Sequence, residues 1–162
     1  MEFREYLPFW KELTSQQQAK LESSATLEHV KKGEVIHNGT ADCVGLLVLV
    51  SGQLRGFSLS EDGRQVTLYR LFSRDVCLMS AYCMLNSLQF DISVQAEQDT
   101  VFWRIPAPVY KELMRQSAPV ANFTTELIAS RFSDVMWLLD QILYKHLDSR
   151  LAAFLVEESR LT

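Results

Sequence analysis

Glycine-containing turn signals cut the first half of the chain into short pieces: Lys32-Gly33, Asn38-Gly39, Ser51-Gly52 and Asp62-Gly63. Between and after them lie "ATLEHV", "EVIH", "CVGLLVLV", "QLRGFSLS", "QVTLYRLF", "FDISVQA" and "TVFWRI", each rich in β-branched or aromatic residues. Turns spaced roughly eight to twelve residues apart leave no room for the helical crossovers that parallel strands need. The chain is therefore expected to build antiparallel strands closed into a sandwich or barrel.

Two of these runs carry a burial pattern. "CVGLLVLV" is apolar from Val44 to Val50 except at Gly45, so both of its faces are expected to be covered, one by the barrel interior and one by helices. "DISVQA" alternates, which sends Ile92, Val94 and Ala96 inward and Ser93 and Gln95 outward. "EDG" at 61–63 joins two strand runs as a hairpin, with Gly63 supplying the positive φ.

Helical patterns flank the strands. Thr14 and Gln17 stand in capping-box spacing before "SQQQAKLESS", which predicts a short first helix with Ala19 and Leu21 near its inner face. "PAPVYKELMRQS" reads as a short helix entered through proline, and the segment from Pro119 to about residue 147 as a long one. Along the long helix Ile128, Phe132, Val135, Leu139 and Ile142 recur at steps of four and three, a heptad seam widened by Leu127, Leu138 and Leu143 with Trp137 beside it. A stripe this wide serves the barrel and a second copy of the helix together, although a single buried helix has the same period. "LDSRLAAFLVEESRLT" restarts a helix, with Asp148 as the expected N-cap.

The length of 162 residues with 48% apolar residues suits one domain with a substantial core. No run is long enough to span a membrane, and the N-terminus lacks the pattern of a secretion signal, so a cytoplasmic protein without membrane association is expected. A net charge of −4 with scattered basic residues excludes a general nucleic-acid binder.

Four stretches, "KKGEVIHNGT" at 31–40, "LVLVSGQLRGFSLSEDGRQVTLYRL" at 47–71, "DTVFWRIP" at 99–106 and "SRLAAFLVEE" at 149–158, stand in an order that resembles the Crp/Fnr family of bacterial transcription regulators. The resemblance implies a mainly β fold with flanking helices: a double-stranded β-helix, the jelly roll of cyclic nucleotide-binding domains, followed by a long dimerisation helix. It divides the chain into a sensor at 1–118, the dimerisation helix at 119–147, and a hinge with the start of a winged helix-turn-helix at 148–162. It further implies a homodimer on Ile128, Phe132, Val135, Leu139 and Ile142, whose DNA contact is made only by a domain this chain lacks. The chain is then either a fragment cut near the hinge or a sensor-only form.

In nucleotide-binding members a Gly-Glu pair and an Arg-Ser or Arg-Thr pair hold the ribose and the cyclic phosphate. Aligned on the flanking "RDV" and "SVQA", those places carry Leu78 and Met79, and Phe90 and Asp91. Loss of the charged anchor costs roughly 2 to 5 kcal/mol in a desolvated pocket, and Asp91 would repel a phosphate. Cyclic AMP is excluded on this reading, and no cofactor is expected. The candidate pocket residues are Leu78, Met79, Ser80, Phe90, Asp91 and Thr125, with Thr124 and Arg131 as further contacts from the long helix; they line an apolar site for a small effector, or they fill the space themselves.

The cysteines and histidines raise two other chemistries. Cys43, Cys77 and Cys83 do not form a disulfide framework, which fits a reducing compartment, and lack the spacing of a zinc or iron-sulfur site; they are inert core residues or a redox or metal-binding thiol set. A small metal-dependent jelly-roll enzyme would need a His-x-His plus Glu pattern, whereas His29, His37 and His146 are isolated, so no metal and no catalytic residue is expected. His37 is expected on a strand surface, and His146 in the last turn of the long helix, facing its dipole.

Overall fold

The computed structural model describes residues 2–39, 43–78, 80 and 91–161. Two 3-10 turns, Phe3–Tyr6 and Trp10–Glu12, precede helix α1 (Ser15–Ser24). Its N-terminus is the expected capping box: the Gln17 amide donates to Thr14 Oγ1, and the Thr14 amide donates to Gln17 Oε1. Leu21 is buried and Ala19 is exposed.

Eight strands follow among the described residues: β1 (Thr26–Val30), β2 (Val35–Asn38), β3 (Leu46–Ser51), β4 (Leu54–Leu59), β5 (Gln65–Leu71), β6 (Val76–Cys77), β7 (Ser93–Ala96) and β8 (Thr100–Ile105). They form two antiparallel four-stranded sheets, ordered β1-β8-β3-β6 and β2-β7-β4-β5, which is the jelly roll. β4 and β5 make the expected hairpin, with Gly63 at φ 84° and the Ser60 amide donating to the Arg64 carbonyl.

The period of two along β3 divides the core into two layers. Leu47 and Leu49 point between the sheets, where they join Leu54, Leu71, Val94 and Phe102, while Leu46 and Val48 point outward into a second cluster. That second cluster is closed by the N-terminal turns, by α2 (Ala107–Gln116) and by the start of α3 (Ala118–Tyr144), through Phe3, Phe9, Tyr110, Leu113 and Val120. The apolar run from Val44 to Val50 thus has both faces covered. Phe3 and Trp103, with ring centroids 5.2 Å apart, pin the N-terminal turns to β8.

Three sequence expectations are corrected here. His37 is 2% exposed rather than on the surface: a register shift between Val35 and His37 against β7 puts it opposite Val94 and turns it inward. Ser93, expected outward, is buried with its hydroxyl donating to Asn38 Oδ1 at 3.3 Å. The long helix ends at Tyr144, Lys145 is extended (φ −100°, ψ 138°), and helix α4 (Leu147–Leu161) begins before Asp148. His146 therefore lies outside the long helix, and its carbonyl accepts from the Arg150 amide at 3.0 Å in the first turn of α4.

Candidate functional site

The inner surface of the β2-β7-β4-β5 sheet meets α3 in a three-layer stack. Gly56 of β4 has no side chain where a Cβ would lie 2.4 Å from Tyr69 Cζ, and this vacancy lets the Tyr69 ring of β5 lie flat across the sheet. Over the ring sits the Arg131 guanidinium of α3, its Cζ 5.3 Å from the centroid. Arg131 Nη1 donates to Asp134 Oδ2 at 3.0 Å, and the arginine side chain is only 15% exposed. A cation–π contact of this kind contributes about 0.5 to 2 kcal/mol, more as water is excluded.

Tyr69 is buried and its hydroxyl has no hydrogen-bond partner among the described residues. Burial pushes the phenol well above its ordinary value, the neighbouring Cys77 adds to the shift, and the Arg131 cation opposes it. The hydroxyl stays protonated at physiological pH, as a donor in an apolar surround. This stack is a second contact between the jelly roll and the long helix, beside the cluster in which Val120 packs with Leu46 and Val48.

The candidate pocket residues fall into different environments. Leu78 is buried in the outer core cluster. Ser80 is fully buried, and its hydroxyl is committed to the carbonyls of Gly45 at 2.7 Å and Cys77 at 3.0 Å, while its own carbonyl accepts from the amides of Val44 and Gly45. Asp91 is exposed beside Gly39. Thr125 is on the exposed side of α3, its hydroxyl donating to the Ala121 carbonyl at 2.9 Å. Met79 and Phe90 lie outside the described residues.

On the barrel side of α3 stand Thr124 and Arg131, not Thr125. Thr124 Oγ1 lies 2.8 Å from the Val120 carbonyl and 2.8 Å from the Tyr110 hydroxyl. Burial pushes the Tyr110 phenol up to about 12, with the Thr124 bond acting in the opposite direction. Tyr69, the other half of the Arg131 contact, was not singled out by the sequence; its signal is the aromatic at an inward position of β5 opposite a strand glycine.

The thiols separate as well. Cys43 is disulfide-bonded, which departs from the expectation of inert thiols, while Cys77 is buried and stands opposite Leu47 where β6 pairs with β3. Cys83 lies outside the described residues. Among the described residues no group of three His, Cys, Asp or Glu side chains is placed to hold a metal ion.

The seam residues share one face of α3. Ile128, Leu139 and Ile142 are about 40% exposed, Phe132 is 65% exposed, and Val135 is half-buried. The adjoining stripe, through Val120, Thr124, Leu127, Arg131 and Leu138, is the more buried one and faces the barrel. The helix thus carries one wide apolar stripe whose seam flank is exposed in the single chain. No described helix is long and apolar enough to cross a membrane.

Residues 27–117 match the cyclic nucleotide-binding domain family. Over 97% of its length the chain is 53% identical to a crystal structure from Eubacterium rectale, described as a transcriptional regulator of the Crp/Fnr family, of which it covers 73% with a TM-score of 0.93. The sensor domain of the transcriptional regulator DNR from Pseudomonas aeruginosa superposes with a TM-score of 0.64 at 19% identity, over 91% of this chain and 100% of that one. The catabolite activator protein of Thermus thermophilus does so with a TM-score of 0.62 at 24% identity, over 84% of this chain and 63% of that one. These last two share the fold. No curated protein sequence gives a significant match.

Proposed function

The chain belongs to the Crp/Fnr family of transcription regulators through its cyclic nucleotide-binding domain, and from that premise we propose that it is the sensor and dimerisation part of a homodimeric regulator. An effector received by the jelly roll shifts the long helix and so repositions a helix-turn-helix domain of the kind the family carries. The protein is a cytoplasmic regulator and not an enzyme.

The observation that carries this reading is the exposed seam flank of α3. Ile128, Phe132, Leu139 and Ile142 stand exposed at heptad spacing on a helix whose adjoining stripe is already occupied by the barrel. Such a face is too apolar to remain in water and fits a second copy of itself about a two-fold axis.

The effector is proposed to be a small molecule other than cyclic AMP. Leu78 is core-buried and Asp91 is negative where the nucleotide clamp would need a small residue and a hydroxyl beside a cation. A ligand shifts the helix only as far as it binds one arrangement better than the other. The Gly56-Tyr69-Arg131 stack is the natural relay, since it is where the effector-bearing sheet grips the helix.

Sedimentation equilibrium tests the dimer. The wild-type chain is expected to be dimeric at micromolar concentration, and Leu139→Glu, which places an unpaired charge in the seam, is expected to raise the dissociation constant at least a hundredfold, about 3 kcal/mol. A wild-type chain that stays monomeric at high concentration would contradict the reading.

A further inference from the structure

We propose that the Cys43 disulfide is a site of reversible thiol-disulfide exchange, opened by a dithiol reductant and closed by a peroxide while the fold stays intact. Cys43 is disulfide-bonded and exposed to solvent just ahead of β3. The sequence holds two other cysteines, Cys77 and Cys83, so with either of them the bond ties the start of β3 to the end of β6 or the chain just after it. Exposure decides its chemistry. A sulfur in contact with water can be attacked by a thiolate in the folded protein, whereas a bridge shielded at both ends must wait for the chain to open.

The fold does not depend on the bond. Three hydrogen bonds already hold the same two segments together: the Val44 and Gly45 amides donate to the Ser80 carbonyl at 3.0 and 3.2 Å, and the Ser80 hydroxyl donates to the Gly45 carbonyl at 2.7 Å. Gly45 is also fixed by shape, with φ at 104° and the Ile105 carbonyl oxygen only 2.3 Å from where a Cβ would stand, at the step from β8 into α2. Leu46 to Leu49 follow with no exposed surface, so the junction survives when the bond opens. Both redox forms are folded, and they differ in how firmly the residues around Cys43 are held.

The exchange balances without any group from the protein beyond its own sulfurs. In reduction, one thiolate of the dithiol attacks a sulfur of the bridge and forms a mixed disulfide; its second thiolate then displaces the protein sulfur, so the protein gains two electrons and two protons and the reductant leaves as a cyclic disulfide. In oxidation, hydrogen peroxide converts the exposed Cys43 thiolate to a sulfenic acid with release of hydroxide, and the partner thiol condenses with it, releasing water and restoring the bond.

The place of the bond gives the exchange its meaning. Ser80 follows directly on Leu78 and Met79, which stand where nucleotide-binding members carry their Gly-Glu pair, so the bond bears on the segment through which an effector is received. That regulatory meaning rests on the reading above; the exchange itself does not.

Thiol counting and hydrogen exchange on the 162-residue chain test the proposal. After stoichiometric hydrogen peroxide, iodoacetamide added to the unfolded chain is expected to label one thiol, three cysteines less the two of a bridge; after millimolar dithiothreitol applied to the folded protein it is expected to label all three. On reduction the amides of Val44 and Gly45 are expected to exchange at least about tenfold faster, while that of Leu49, held by the Asp75 carbonyl at 2.9 Å, keeps its rate. Cys43→Ser is expected to show the fast exchange with and without dithiothreitol. A bond that dithiothreitol opens only in denaturant, three thiols remaining after peroxide, unchanged exchange at residues 44 and 45, or a response to dithiothreitol that persists in Cys43→Ser overturns it. A reducible chain that stays monomeric would sink the dimeric-regulator reading alone, and a dimer whose bond resists dithiothreitol would sink this proposal alone.

Discussion

The two ends of the molecule treat the same kinds of residue in opposite ways. Up to Thr124 most large apolar side chains sit in two clusters, one between the sheets and one beneath the helices, and many have no exposed surface at all, with Leu27, Val35, Leu59, Val66 and Phe72 the exposed exceptions. Beyond Thr124 no described side chain is buried, although Phe132, Trp137, Leu143, Leu151 and Phe154 are as apolar as anything in the barrel. Hydrophobicity alone does not decide which residues form a core; the chain must also supply the second surface. For the jelly roll it does, and for the lower half of α3 and for α4 no such surface is present among the described residues.

The sharpest way to break this contrast is a pair of identical truncations. Leu47→Ala, at a site with no exposed surface, is expected to cost about 2 to 5 kcal/mol in urea unfolding. Leu151→Ala, at a 55% exposed position, is expected to change the same measurement by less than about 0.5 kcal/mol. Equal losses would mean that α4 is already part of a folded core.

A pH experiment locates the boundary between the two regions, because Tyr110 and Thr124 mark the last buried contact of α3. The Tyr110 pKa is raised from 10.0 to about 12 in the folded chain. Its contribution is fully present below pH 10 and is lost as pH rises through about 12, since the unfolded phenol ionises first. Between pH 9 and 11.5 the wild type is expected to lose about 2 kcal/mol more than Tyr110→Phe, read from urea midpoints. At neutral pH that variant is expected to cost about 1 kcal/mol for the missing hydrogen bond. A parallel pH dependence in the two proteins would show that the phenol is not shielded there.

The smallest effect sharpens the barrel side. Thr14→Ala removes the side-chain half of the capping box on α1 and is expected to cost about 1 kcal/mol, without altering subunit association in sedimentation. A change in association would tie α1 to the seam, from which the comparison separates it.

Much of the barrel was legible because its signals are local. The hairpin at Gly63, the capping box at Thr14 and the two-sided burial of Leu46 to Leu49 each follow from a few adjacent residues. What was not legible depends on distant partners or on geometry between strands. His37 is inward because a bulge against β7 shifts its phase, and nothing in "EVIH" records the shift. The N-terminal 3-10 turns are fixed by contacts such as Phe3 with Trp103, a hundred positions along the chain. Arg131 could be placed on the barrel side of the long helix, but its partner Tyr69 comes from a hairpin whose register sets Gly56 opposite. The end of α3 was overshot because "YKHLD" contains neither glycine nor proline.

That interruption at Lys145 also has a geometric consequence. A helix of fifteen residues at about 1.5 Å per residue is a rod of roughly 22 Å, joined at its near end through Lys145 and His146 and tied along its side to Arg70 through Glu158. Turning such a rod by about 10° would carry its far tip roughly 4 Å, a movement comparable to the spacing of adjacent residues along a chain.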